Sequence, residues 1–178
     1  MRLLYCLPAL FALLSPLAQA ELLDDVWERG SLRIALEDNN PPYSYREDGK
    51  LIGFGVELGR ALAAELNVDA DFVVDDDGKM LEGLQSGRYD IALDQLAGSG
   101  QEQATLEFSE PYVFPLAEAE GDSGAEQPMA IPFQKGNPAF RDTLNRALVK
   151  LRGEGKLGEL SEQWLGKDLS QPAATSSR

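Results

Sequence analysis

The 178 residues contain no histidine, and the single cysteine, Cys6, stands close to the start. Beyond position 6 there is neither imidazole nor thiol, so a Ser-His-Asp triad, a Cys-His pair and the usual zinc ligand sets are all excluded there. The abundant reactive group is the carboxylate, with 30 Asp and Glu against 16 Lys and Arg. Carboxylates can act as acid and base, hold a cation, or only solvate a surface. With so many of them, a pair picked from the sequence carries little information. Asp75-Asp76-Asp77-Gly78 invites comparison with a calcium loop. An EF-hand register, however, would place Val73 at the first ligand and Leu84 at the closing glutamate, so a solvated turn is expected. Gly53-Phe54-Gly55-Val56-Glu57-Leu58-Gly59 imitates a dinucleotide fingerprint, but its last gap is one residue too long and it follows a hairpin. A structural role is expected for those glycines.

The surroundings of these residues narrow the chemistry further. Arg2, the apolar run from Leu3 to Leu14 and the small-x-small ending Ala18-Gln19-Ala20 form the three regions of a secretory signal peptide over residues 1–20. The run is shorter than the ~20 residues a spanning helix needs, which argues against a membrane anchor. A mature chain from Glu21 then has no cysteine, no disulfide and a net charge of −15, since Arg2 leaves with the leader. Nucleic acid and anionic lipid both require a basic surface and are poor partners for it.

The elements that must position any site read as an alternating α/β pattern. Leu22, Leu23, Val26 and Trp27 recur at helical spacing up to Gly30. Leu32, Ile34 and Leu36 alternate as a strand, and Asp48-Gly49 is a hairpin turn. Leu58, Leu62 and Leu66 mark a core-facing helix, and Ala70, Phe72 and Val74 a second strand. Met80, Leu81 and Leu84 mark a short helix ending at Gly87, before a third strand from Asp90 to Leu93. Phe140, Leu144, Leu148 and Leu151 form a long stripe, and Leu157, Leu160, Trp164 and Leu165 another, both expected to cover the sheet. Such a sheet is mostly parallel, with ligands outside the carboxyl ends of its strands. Residues 118–127 read as an acidic, glycine-bearing surface linker and residues 171–178 as a disordered tail.

Four segments, GSLRIALEDNNPPYSYREDGKLIGFGVELGRALAAEL, LEGLQSGRYDIAL, FSEPY and AIPFQKGNPAFRDTLNRALVKLRGEGKLGELSEQWLG, carry a resemblance to the bacterial extracellular solute-binding proteins of family 3, the amino-acid type served by ABC importers. The resemblance implies one lobe of a type 2 periplasmic-binding fold spanning residues 21–170, with the linker standing where the family has its second lobe. It also implies a periplasmic protein whose partners are a small polar or cationic solute and an ABC permease or other periplasmic protein. Some relatives of this fold are dehydratases, but nothing in this sequence singles out a catalytic constellation, so no cofactor and no catalytic role are expected.

Carried over without gaps, the family's acidic position falls at Glu37 and its aromatic platform at Asn40. Its donor positions fall at Asp94, Gln95, Ala97 and Ser99, and its carboxylate-clamping arginine at Glu102. A carboxylate cannot clamp a carboxylate, so an α-amino acid held in the family pose is not expected. Two readings remain: a cationic ligand drawn to Glu37, Asp94 and Glu102, or a decayed site whose acids are merely solvated. A different class, an interaction or regulatory module, rests on Tyr112, Val113, Phe114, Met129, Ile131 and Phe133. These are expected to lie exposed where the second lobe is missing and to dock a partner or a second copy as a homodimer.

Overall fold

The computed structural model describes residues 21–75, 77–93, 102–115 and 127–172. The expected leader at 1–20, nearly all of the linker at 118–127 and the end of the tail lie outside the described residues, as do Asp94, Gln95 and Ser99.

Helix α1 (Leu22–Arg29) buries Leu22, Leu23 and Val26 and ends on left-handed Gly30. Strand β1 (Ser31–Leu36) follows at once. Asn39–Asn40 (β2), Ser44–Glu47 (β3) and Lys50–Ile52 (β4) form a small separate sheet in the order β2-β3-β4. Asp48 and Gly49 turn between its last two strands with φ of 49° and 75°, the two-positive-φ turn that suits a tight hairpin.

Helix α2 (Phe54–Glu65) is followed by Asn67 at φ 57° and then by β5 (Asp69–Val74), which pairs in parallel with β1 along its whole length. Helix α3 (Asp77–Gln85) leads to β6 (Ile91–Ala92), parallel to β1 on the other side. A single helical turn, α4 (Glu102–Thr105), enters β7 (Leu106–Phe108). Strand β8 (Pro132–Gln134) then inserts between β6 and β7, antiparallel to both, giving the order β5-β1-β6-β8-β7. Every strand of this sheet except β8 therefore points the same way, as expected of a mostly parallel α/β lobe. Helices α5 (Pro138–Gly153) and α6 (Lys156–Leu165) complete it.

The faces of the sheet are covered unequally. On one, Leu32, Ile34, Ile91 and Phe133 meet α1, α2, α5 and α6 through Val26, Leu62, Phe140, Leu144, Leu148 and Leu160. On the other, Ala35, Ala92 and Leu106 meet α3 through Met80 and Leu84, with Tyr89 beside them. The two C-terminal stripes thus do bury against the sheet, although Trp164 and Leu165 stay half-buried.

The expected exposed apolar face is absent. Tyr112, Val113, Met129, Ile131 and Phe133 are all 4% exposed or less. Val113 and Met129 bridge to each other, and Tyr112 stacks on Phe54 at 6.1 Å between ring centroids. Phe114 is half-buried beneath the Arg152 guanidinium, 5.8 Å from its ring centre. The expectation failed because it left out what the rest of the chain lays against the strip. The same chain's α2, α5 and residues beyond α6 reach it instead.

Candidate functional site

Parallel strands place their carboxyl ends on one rim of the sheet, and residues leaving β1 and β5 there line a polar pocket of about 360 Å³. Its walls are Glu37, Asp38 and Asn39 after β1, with Val74 and Asp75 at the end of β5. The register explains their meeting: Leu36 pairs with Val74 as the last rung of the β1/β5 ladder, and the Asp75 amide donates to the Leu36 carbonyl at 3.2 Å.

The pocket is less negative than its acids suggest. Arg46 Nε donates to Asp38 at 2.8 Å, and Arg88 pairs with Asp75 at 2.5 Å. Of the described lining carboxylates, Glu37 is left carrying the excess charge. Asp75 also accepts a long bond, 3.4 Å, from the Tyr89 hydroxyl, which donates to the Lys79 carbonyl at 3.1 Å. Burial first and the Asp75 charge second push the Tyr89 phenol up to about 12, with Arg88 opposing. Tyr89 fits because residue 83 is glycine: a Cβ there would lie 2.1 Å from the phenol oxygen. One residue further on, Asp90 anchors the base of the lobe. Its fully buried carboxylate accepts from Arg29, from the Arg33 guanidinium at 2.7 Å and from the Arg33 amide at 2.8 Å.

Of the residues expected at the site, Glu37 lines the pocket. Asn40 stands in β2, paired with Ser44, and is not part of the lining; its neighbours Asp38 and Asn39 are. Glu102 opens α4. Its side chain, like Asp94, Gln95 and Ser99, lies outside the described residues. Val74 and Asp75 were missed. Their signal was available in the end of a parallel strand adjacent to β1, where ligands of such sheets gather. Among the described residues no group of three acidic side chains is placed to hold a metal ion.

A layered α/β lobe with a polar pocket outside the carboxyl ends of adjacent parallel strands is the architecture in which open sheets hold small ligands. The chain belongs to the bacterial extracellular solute-binding proteins, family 3, whose model matches residues 32–167. It is 34% identical over 153 residues to the L-cystine-binding protein TcyJ of Escherichia coli, covering 85% of this chain and 53% of that protein. The cyclohexadienyl dehydratase of Pseudomonas aeruginosa is 34% identical over 111 residues, 62% of this chain and 41% of that one. The chain spans about half the length of the curated relatives it matches.

Among solved structures, the unliganded open L-cystine solute receptor of Neisseria gonorrhoeae superposes with a TM-score of 0.74 at 21% identity, over 84% of this chain and 99% of that one. The arginine-bound form of domain 1 from TmArgBP superposes at 0.63 and 23%, over 72% and 98%. At these identities the structures establish the fold.

Proposed function

We propose that residues 21–170 form one periplasmic solute-binding lobe of the amino-acid importer type, exported by a leader at 1–20 and ending in a polar tail at 171–178. The linker at 118–127 stands where relatives carry a second lobe. The observation that carries this reading is the polar pocket at the ends of β1 and β5, where sheets of this kind gather ligands, in a chain of the solute-binding protein family. The ligand is a cationic solute that needs no carboxylate clamp, such as a diamine. Glu37 supplies uncompensated negative charge, and Glu102 falls at the family's arginine position when the resemblance is carried over without gaps. A protein of the same fold, crystallised as its domain 1 in an arginine-bound form, supports the idea that one lobe can hold a ligand. Its natural recipient is an ABC permease. The lobe acts by binding and not by catalysis; the dehydratase among its relatives shares less of this chain than the cystine-binding protein does. The alternative of a docking module loses its motivating feature, because the apolar strip it relied on is buried.

Calorimetry on residues 21–178 with putrescine, L-glutamate and L-cystine tests the proposal. Putrescine should bind, and at a hundredfold excess over its Kd should stabilise the fold by about 2.7 kcal/mol. Glu37→Gln should weaken it severalfold. Micromolar binding of glutamate or cystine, with none of putrescine, overturns the cationic reading.

A further inference from the structure

The chain does not leave the lobe when α6 ends at left-handed Gly166. Residues 167–170 fold back across that helix. Ser161 Oγ donates to the Lys167 carbonyl at 2.6 Å and accepts from the Leu169 amide at 2.9 Å, so one hydroxyl grips the segment at two points. Asp168 accepts from the Ser170 amide at 2.9 Å. It also lies so close over Gly158 that a Cβ there would come within 3.0 Å of its carboxylate. Leu169 packs on the main core, and its carbonyl accepts the Phe114 amide at 2.8 Å. Arg152 closes the arrangement. Its Nε donates to the Ser170 carbonyl and its Nη2 to the Pro111 carbonyl, each at 2.8 Å, and its guanidinium covers the Phe114 ring. Ser161 and Ser170 are almost wholly buried.

These contacts bring the end of the described chain against the strip that holds Tyr112 and Val113. On one side that strip is bridged by Met129, whose amide donates to the Val113 carbonyl at 3.0 Å. At its far end, Phe114, it is met by Leu169. We propose that residues 167–170 are a latch, gripped by Ser161 and Arg152, that closes the open edge of the Pro111–Phe114 strip within the same chain. An uncovered edge there would present the Phe114 amide and ring to any other strand, the usual route to unwanted pairing. The family match stops at residue 167, so most of the latch lies beyond the part of the chain its relatives' model describes.

Hydrogen exchange at two amides separates a latch from general stabilisation. In Ser161→Ala the Phe114 amide should exchange at least tenfold faster, while the Met129 amide, which bonds to Val113 of the same strip and not to the latch, keeps its protection. Arg152→Met should act the same way. A chain ended after Gly166 should lose Phe114 protection and bind an apolar dye such as anilinonaphthalene sulfonate; if that chain fails to fold, the two point variants decide. Unchanged Phe114 exchange in both point variants overturns the latch. So does a parallel loss at Phe114 and Met129, which would mark a global effect.

Discussion

At the scale of single residues, the pocket wall and the core behind it share one titrating group. Tyr89 ionises at about 12 in the folded lobe against 10.0 as an ordinary phenol. Below pH 10 it is neutral in both states and its contribution to stability is complete. As pH rises through 10 toward 12 the unfolded chain ionises first, so stability is lost across that window. Urea midpoints should therefore fall between pH 10 and 11.5, and Tyr89→Phe should flatten the decline. Asp90 makes a second residue-scale case. Its carboxylate is fully buried while Arg29 and Arg33 remain 31% and 25% exposed. Asp90→Ala strands the Arg33 amide and two cations, but both cations can rehydrate. The cost should fall near the lower end of the 3–5 kcal/mol typical of a broken buried pair, about 3 kcal/mol by urea unfolding. Neither role could be read from the sequence. Asp90 is one acid among 30, and only the fold places it beneath two arginines that precede it by about sixty residues.

At the scale of elements, what was legible followed periodicity. The stripe Phe140, Leu144, Leu148, Leu151 reads as a helix because its spacing keeps one face apolar, and all four are buried in α5. Leu148 is 1% exposed, so Leu148→Ala should cost about 2–5 kcal/mol, checked by thermal or urea melts. The parallel trio β5-β1-β6 was legible for a similar reason, since strands separated by helices must cross over. The insertion of β8 was not. Each of its pairings rests on at most three residue pairs, and no alternation over so short a run distinguishes an antiparallel neighbour from a loop. The pocket was half legible. Glu37 follows β1 in sequence, whereas Asp75 reaches it only through the lateral pairing of β5, which local pattern does not encode. The burial of Tyr112 and Met129 went unread because it depends on helices and a latch contributed from elsewhere in the chain.

At the scale of the whole molecule, the helices α1 and α5 tie the beginning of the lobe to its last third. The Asn137 side-chain oxygen accepts the Leu22 amide at 2.8 Å, and the Glu21 carboxylate accepts the Ala139 amide at 3.1 Å, just after Pro138, which has no amide to offer. Each helix thus has an amide of its first turn satisfied by a residue from the other helix's entry, over 115 and 118 positions. A chain ended at Gln127 lacks β8, α5 and α6 and should show no cooperative melt; a sharp transition in that fragment would contradict the architecture. The reciprocal clasp also sets a timetable. As the chain is made, neither helix entry finds its reciprocal partner until residue 139 has appeared, and the sheet cannot bring β7 in before β8 is made. Closing so long a loop is slow. The lobe therefore cannot be completed until most of its chain is present, however early its first strands pair.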